Sequence, residues 1–416
     1  MREVGERATF TAALRVSEFR ALWAAELLSV LGDQLARVAL AVLVFHRTDS
    51  AALTGLTYAL TFVPTFLGGI LLGGWGDRRP RREVLIHTDL VRAVLLALMV
   101  IPGLPLAVLC VLVAVMTLFG GPFKAAQQAL LPEVLPGDLY LTGMALRNVT
   151  SQSAQVMAFA GGGLLVAAVD PVLGLAVDAA TFAVSAVLIR FGVRSRPAAG
   201  AAGVATGPRH HLGRVAAGMG TVWRDPVLRA LVGLNWLAGF YIVPEALAAP
   251  YAAGLGAGVA VVGWLMAADP IGSVVGAVVF GRRWVPEGMQ LRLLGLLGVG
   301  AGLPLVLCAT QPGVVVTMVL FGVSGMLATG YNIMGTVTFV RRVPDGQRAQ
   351  ASGLNSTGLI TVQGLGATAA GVLADVIGPA HAIAAFGAAG ALVAAPLAWA
   401  WHRARGRLRQ TGEAVT

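Results

Sequence analysis

Charged residues are scarce in this chain of 416 residues: only 12% are Asp, Glu, Lys or Arg, whereas 57% are hydrophobic. A soluble globular protein typically carries about 25% charged residues. Lysine is nearly missing, because Lys124 is the single lysine among 30 basic residues. This composition excludes an ordinary soluble protein and indicates a chain that lies largely within a membrane.

Cysteine is also rare, since Cys110 and Cys308 are the two in the chain and both lie inside apolar runs. They exclude a disulfide framework and a cysteine-based metal site. No G-x-x-x-x-G-K-[ST] run is present, which argues against ATP binding, and no clustered nucleophile indicates an enzyme. We therefore expect no catalytic residues, no cofactor and no metal.

The first 20 residues are polar and mixed in charge. They lack the apolar centre and the small-residue cleavage site of a signal peptide. We expect this end of the chain to stay in the cytoplasm and the first apolar run to form the first membrane span.

Twelve apolar runs are each long enough to cross a bilayer, which takes a helix of about 20 residues. They lie near residues 22–45, 51–75, 83–103, 105–127, 144–168, 172–190, 228–250, 258–281, 291–310, 314–338, 351–373 and 380–401. Helices are predicted because every backbone polar group must find a partner inside lipid. The predicted fold is an all-α integral membrane protein of 12 transmembrane helices.

Two six-helix bundles are predicted, at 22–190 and 228–401. The remaining segments are an N-terminal segment at 1–21, a linker at 191–227 and a basic tail at 402–416, all expected in the cytoplasm. All basic residues except Arg37 and Arg47 fall in or near loops on that side. This positive-inside pattern predicts a multi-pass protein of the cell (inner or plasma) membrane with both termini cytoplasmic.

The net charge of +10 is explained by this topology, so no nucleic-acid partner is expected. The tail "HRARGRLRQ" is either a topology anchor or a contact for anionic lipid headgroups.

The two predicted bundles resemble each other at a constant offset of 208 residues. Matching pairs include Gly55 and Gly263, Gln155 and Gln363, and Gly163 and Gly371. Because each bundle has an even number of spans, both begin on the same side of the membrane. Membrane proteins built from such parallel repeats place a small-molecule site at the interface of the halves, near mid-membrane.

The stretch "GGWGDRRPRR", between the second and third predicted spans, resembles the loop signature G-x-x-x-D-R-x-G-R-R/K of the major facilitator superfamily. Its matching positions are Gly73, Asp77, Arg78, Arg81 and Arg82. The segments 128–165 and 223–231 resemble the branch of that family that exports drugs, macrolides and siderophores.

This resemblance implies two parallel halves, transport by alternating access and, commonly, a monomer. It also implies that Asp77 and the signature arginines lock an inner gate by pairing with neighbouring helix ends. The alternative is that the stretch is only a topology anchor. Asp89 and Arg92, one turn apart on the third span, are expected to pair and support the gate.

Three charged residues lie inside the first span. At about 100° per residue, Glu26, Asp33 and Arg37 share a narrow face of the helix, which must face protein or a water-filled cavity. Asp33 is a candidate proton or substrate-cation site, and the alternative is a static ion pair with Arg37, four residues later. Glu26 lies nearer the cytoplasmic end and could reach water.

The seventh span contains Asn235, Tyr241 and Glu245 and is interrupted by prolines. A proline-interrupted span with an acid points to a binding site, so these three residues and Asp269 in the eighth span are candidates for proton coupling or substrate binding.

A structural role is expected for several other residues within the spans. Asp178 is predicted to lie nearer the outer surface, and the glycines at 161–163 are predicted to allow close helix contact. For Tyr331 and Asn332, helix packing is favoured over a place in the cavity.

The predicted function is a secondary active transporter that exports an amphipathic small molecule, a drug or secondary metabolite, by proton-coupled antiport. The partners expected are the small-molecule substrate, protons and membrane lipid. The alternatives are a proton-coupled importer of a small nutrient and a non-transporting membrane receptor or assembly partner. Few polar groups are expected along the cavity, which favours a bulky apolar compound as the substrate.

Overall fold

The computed structural model describes residues 9–72, 79–197, 219–220, 222–281, 287–344 and 347–410, and the regular secondary structure within these ranges is helical. The helices of the N-terminal half are α1 (Phe10–Arg15), α2 (Ser17–Thr48), α3 (Ala51–Leu60), α4 (Val63–Leu71), α5 (Arg81–Met99), α6 (Leu106–Leu118), α7 (Gly120–Val134), α8 (Asp138–Ala168) and α9 (Pro171–Gly192).

The C-terminal half contains α10 (Pro226–Trp236), α11 (Ala238–Tyr241), α12 (Val243–Ala246), α13 (Ala248–Gly254), α14 (Val259–Gly281), α15 (Glu287–Val306), α16 (Val314–Arg342), α17 (Arg348–Ile377) and α18 (Pro379–Gln410), with a 3-10 turn at Leu307–Thr310 after α15. The helix α18 continues through most of the predicted tail, so the tail is in part an extension of the last span.

Proline explains why some predicted spans consist of several helices. Pro64 lies at the start of α4, just after the break between α3 and α4. The predicted seventh span is divided into α10, α11, α12 and α13, of which α12 contains Pro244 and α13 contains Pro250. A proline has no backbone N–H and its ring clashes with the preceding turn, so the helix is interrupted there.

Among the described residues, ten helical segments are long and apolar enough to cross a membrane by length and composition. The predicted third and fifth spans, α5 and α8, are not among them. The helix α5 carries several charged side chains, and α8 carries Arg147, Asn148, Gln152 and Gln155. Twelve membrane crossings therefore remain a prediction, although both helices have the length to cross.

The outer surface of the bundle is apolar, with Phe191 83%, Val376 78% and Leu392 74% exposed. Large apolar side chains exposed to this extent are costly in water and favourable in lipid. The apolar side chains therefore face outward as well as inward, as expected for helices that are surrounded by a bilayer.

Glycines bring the two halves into backbone contact at two equivalent places. A Cβ atom added to Gly163 in α8 would lie 2.8 Å from the Cα atom of Gly263 in α14. A Cβ atom added to Gly55 in α3 would lie 3.3 Å from the Cα atom of Gly371 in α17. Gly55 corresponds to Gly263 and Gly163 to Gly371 in the sequence repeat, so the two contacts are related by the same internal symmetry.

Hydrogen bonds join the halves at the end of the bundle that contains the start of α3 and the end of α17. The carboxylate of Asp375 accepts hydrogen bonds from Ser50 Oγ at 2.8 Å and from the backbone N–H groups of Ala51 at 2.6 Å and Ala52 at 3.2 Å. The acid thus caps the N-terminus of a helix in the other half, where free N–H groups and the helix dipole favour a negative charge. The predicted topology places this closed end outside the cell.

At the opposite end, ion pairs form within each half between helices and the segments next to them. Arg196 forms hydrogen bonds with the carboxylate of Glu18, one of them 3.0 Å long, and this interaction raises the pKa of the guanidinium. In the C-terminal half, Arg342 Nε lies 3.0 Å from Asp225 Oδ2. These pairs hold each half together at this end, whereas the Asp375 contacts link the halves at the other.

Candidate functional site

A cavity of about 750 Å³ lies between the two halves. Its charged lining residues are Glu26, Asp33, Arg37, Arg92, Lys124, Arg147, Glu245 and Asp269. Six side-chain amides also line it, from Gln127, Gln128, Asn148, Gln152, Gln155 and Gln363. The expectation of few polar groups along the cavity is therefore wrong, because the amphipathic helices turn their scattered polar residues toward this one space.

The charged face of α2 forms one side of the cavity, and the structure places Glu26, Asp33 and Arg37 on its wall. The ion pair of Asp33 with Arg37, which was the alternative for Asp33, is not formed. Instead, Arg92 Nη2 in α5 donates to the two carboxylate oxygens of Asp33 at 2.9 and 3.2 Å. The guanidinium of Arg37 lies over the ring of Tyr58, with Cζ 5.9 Å from the ring centroid.

The predicted pair of Asp89 with Arg92 is also wrong. Arg92 extends across to α2 and stacks over Phe182, with Cζ 3.8 Å from the ring centroid. Asp89 is fully buried and accepts a hydrogen bond from Ser185 Oγ at 2.5 Å. These side chains bind α5 to α2 and α9 and leave no ion pair between successive turns of α5.

Glu26 does not stand free in water as the sequence allowed. It forms an ion pair with Arg147 of α8, and the distance between Arg147 Nη2 and Glu26 Oε1 is 2.7 Å. The acid therefore joins α2 to α8 at the edge of the cavity.

The C-terminal half contributes two acids, Glu245 and Asp269. Glu245 lies in the short helix α12, is buried to 7% exposure and accepts a hydrogen bond from the hydroxyl of Tyr58 in the other half. Asp269 precedes Pro270 in α14 and packs against Gly325, where an added Cβ atom would lie 2.7 Å from Asp269 Oδ1. Within the described part of the chain, neither acid has a Lys or Arg nitrogen within 4.0 Å, unlike Asp33 and Glu26.

Tyr241 and Asn235 lie away from the wall of the main cavity. Tyr241 donates to the carbonyl oxygen of Gly298 at 2.6 Å and lines an adjoining space of about 310 Å³ together with Tyr331 and Asn332. Asn235 donates to Asn355 Oδ1 at 3.0 Å and accepts a hydrogen bond from Asn332 at 3.1 Å. The adjoining space shares Glu245 and Asp269 with the main cavity.

The signature stretch is described only in part, because Gly73, Asp77 and Arg78 lie outside the described residues. Arg81 donates to the carbonyl oxygen of Ala129 at 2.8 Å and pairs with Glu133. Arg82 donates to the carbonyl oxygen of Arg190 near the end of α9. Both arginines thus bind neighbouring helix ends within the N-terminal half, and their part in a gate remains a prediction.

Asp178 is fully buried between α9 and α2, beside Gly32, where an added Cβ atom would lie 2.1 Å from Asp178 Oδ1. It therefore lies at the level of Asp33 and not near the outer surface as predicted. Gly163 makes the predicted helix contact, whereas a Cβ atom added to Gly161 would meet no atom within 4 Å.

Several lining residues were missed at the sequence level, among them Lys124, Gln127, Gln128, Asn148 and Gln152. Their spacing carries a usable signal, since residues three, four and seven apart share a helix face. A second sequence signal is the pair of Gln155 and Gln363, which match in the sequence repeat and line the same cavity from opposite halves. In the described part of the chain, no group of three or more His, Cys, Asp or Glu side chains could hold a metal ion.

Two helical halves around a polar cavity are the architecture of a multi-pass membrane transporter. A sequence profile of the Major Facilitator Superfamily matches residues 22–282. The match spans more than half of the chain, and the chain belongs to this family.

Solved structures support this fold. A structure from work on substrate recognition in proton dependent oligopeptide transporters has a TM-score of 0.70 at 13% identity and covers 96% of this chain and 99% of its own. A bacterial homolog of the human lysosomal transporter Spinster, inward-facing and occupied, has a TM-score of 0.69 at 14% identity and coverages of 93% and 96%. The nucleoside transporter NupG has a TM-score of 0.68 at 15% identity, with coverages of 92% and 98%. No curated protein sequence is significantly similar to the chain.

Proposed function

We propose that this protein is a secondary active transporter of the cell membrane that exports an amphipathic small molecule in exchange for protons. The observation that carries the proposal is the polar cavity between the halves, which contains two acids without ion-pair partners among the described residues. Both termini lie in the cytoplasm in this proposal, and the chain works as a monomer. The outward direction rests on the resemblance of 128–165 and 223–231 to exporters.

Alternating access is supported by where the halves touch. The Asp375 hydrogen bonds and the glycine contacts close one end, whereas the cavity continues past Glu26 and Arg147 toward the other. With the predicted topology this is an inward-facing arrangement, ready to take up a solute from the cytoplasm. Rocking of the halves would break the first set of contacts and open the cavity outward.

Proton coupling is assigned to Glu245 and Asp269. Arg92 is largely buried, so protonation of Asp33 would leave its charge without an ion-pair partner, which is costly. Protonation of Glu26 would do the same to Arg147. Glu245 and Asp269 can lose their charge without leaving a cation unpaired, so they are better suited to bind and release a proton in each cycle.

The substrate is proposed to be an amphipathic molecule with polar groups. The lining joins charged and amide side chains to apolar ones such as Phe62, Phe123 and Ile360. The same lining would also suit a hydrophilic nutrient, which keeps a proton-coupled importer as the second candidate.

The test is accumulation in a drug-sensitive bacterial strain that lacks its main exporters. Cells that produce the protein are compared with empty-vector cells, using a panel of amphipathic anions, zwitterions, cations and neutral compounds, with and without a protonophore. We expect lower accumulation of at least one compound, and the protonophore should abolish the difference. Higher accumulation that the protonophore abolishes would establish the importer instead.

The variants Glu245→Gln and Asp269→Asn are measured in parallel. Loss of gradient-driven transport, with substrate exchange retained in proteoliposomes, identifies the coupling acid. Asp138→Asn is the matched control, because Asp138 is exposed at the start of α8 and does not line the cavity. Intact coupling in both acid variants contradicts the site assignment, and no movement of any compound favours a receptor or assembly partner.

A further inference from the structure

The charges that line the cavity are divided unequally between the two halves. Among the described residues that line the cavity, the ion pairs of Asp33 with Arg92 and of Glu26 with Arg147 leave two cations without an acid. These are Arg37 and Lys124, both in the N-terminal half. The C-terminal half presents two acids, Glu245 and Asp269. The N-terminal wall therefore carries an excess of positive charge, and the C-terminal wall carries negative charge or neutral carboxyl groups.

Lys124, the single lysine of the chain, is open to the cavity. It lies one turn into α7 and is exposed, with Gln127 and Gln128 on the same helix face and also lining the cavity. No ion pair or hydrogen bond of its ammonium group is found within the described part of the chain. An ammonium group in a partly dehydrated space is stabilised when an anion enters beside it.

Arg37 provides a second cation at the same wall. Its guanidinium lies over the Tyr58 ring, and the hydroxyl of Tyr58 donates to Glu245 across the interface of the halves. Arginine presents a planar fork of N–H donors that matches the oxygens of a carboxylate or phosphate. Only the side chain of Tyr58 would thus lie between an anion on Arg37 and Glu245, the acid proposed to carry the proton.

We propose that Arg37 and Lys124 form a subsite for an anionic group of the substrate, a carboxylate or a phosphate. The substrate is an amphipathic organic anion or zwitterion whose anionic group faces the N-terminal half and whose remaining part faces Glu245 and Asp269. This inference rests on the proposed transport function, since it names the class of molecule that is moved. It excludes purely cationic lipophilic compounds as good substrates.

The single lysine allows a direct test with the purified full chain in detergent. The aldehyde of pyridoxal 5′-phosphate condenses with an amine and loses one water, and borohydride then reduces the imine to a stable secondary amine. Pyridoxal undergoes the same reaction without the phosphate. Peptide mass spectrometry measures the rate at Lys124, and the α-amino group of the same chain is the internal reference.

The quantity compared is the ratio of the reaction rate with pyridoxal 5′-phosphate to the rate with pyridoxal. We expect this ratio to be about tenfold larger at Lys124 than at the α-amino group, because charge-assisted hydrogen bonds of the phosphate to Arg37 hold the aldehyde in place. Arg37→Gln should remove this preference, and Arg37→Lys should keep part of it. Arg47→Gln, which replaces an exposed arginine that donates to Leu104 outside the cavity, should leave it unchanged. Gel filtration verifies that each variant is folded.

Equal rates with and without the phosphate, a preference that survives Arg37→Gln, or an unreactive Lys124 would overturn the subsite. The proposed function is tested separately, by transport in proteoliposomes under a pH gradient. A phosphate preference without any transport keeps the subsite and contradicts the function. Transport of cations or neutral compounds, without a phosphate preference at Lys124, keeps the proposed function and contradicts the subsite.

Discussion

Removal of the Asp375 carboxylate should shift the protein away from the conformation in which the end of the bundle near Ser50 is closed. Asp375 lies in the C-terminal half, yet its hydrogen bonds run to Ser50, Ala51 and Ala52 at the start of α3 in the N-terminal half. These bonds can exist only while the two halves touch at this end. The variant Asp375→Ala therefore destabilises the closed conformation and leaves the open one unchanged.

The magnitude follows from the contacts. Loss of a side-chain cap at a helix N-terminus costs roughly 0.5–2 kcal/mol, and a hydrogen bond to a charged group contributes roughly 1.5–3 kcal/mol. Asp375 is exposed to solvent, which screens its charge, so the sum is reduced. We expect a loss of about 2 kcal/mol, which changes the ratio of the two conformations about 30-fold.

The assay is double electron–electron resonance between spin labels at positions 101 and 315. Ile101 and Val315 are 50% and 74% exposed and lie in opposite halves near the same end of the bundle. Both native cysteines, Cys110 and Cys308, are first replaced. The variant should show a larger population of long distances between the labels than the parent protein.

Asp170→Ala is the matched control. Asp170 also caps a helix at this end, since it accepts a hydrogen bond from Val172 N–H at 2.6 Å, but both residues belong to the N-terminal half. Its removal should lower thermal stability without changing the distance distribution. If Asp375→Ala leaves the distances unchanged, or if the control shifts them equally, the contact does not hold the halves together.

Two further variants test the packing and the charges. Gly163→Ala should lower the thermal stability in detergent by about 1–3 kcal/mol, because the new methyl group meets the α14 backbone. Gly161→Ala is the control and should not lower it, because its methyl group would enter open space. Equal effects of the two variants would contradict the contact. Asp33→Asn leaves Arg92 without its acid and should lower the free energy of unfolding by about 2 kcal/mol. The loss is smaller than for a fully buried pair because Asp33 keeps some contact with water. An additional Arg92→Gln substitution should recover part of this loss, and no recovery would refute the pairing.

The helical fold and the charged face of α2 could be predicted because they depend on local periodicity. Apolar runs of bilayer length predict helices, and the 3.6-residue repeat places Glu26, Asp33 and Arg37 on one face of the helix. The internal repeat was informative as well, because it marked the glycines that later proved to be in contact between the halves.

The ion-pair partners could not be predicted, because they depend on how far long side chains reach between helices. Arg92 reaches Asp33 on another helix in preference to Asp89, three residues before it on its own helix. The polarity of the cavity was missed for a related reason. Each amide or lysine is isolated within an apolar run, and only the assembled bundle shows that they point to one space.

The two symmetric glycine contacts also bear on the speed of the transport cycle. At both places the atoms nearest to an added Cβ atom are backbone atoms of the other half. Backbone contacts of this kind can slide or roll without a change of rotamer at the glycines themselves, so they add little friction. The barrier to reorientation would then come mainly from the polar contacts, those of Asp375 and of Tyr58 with Glu245, and turnover should depend on solvent and charge more than on core packing.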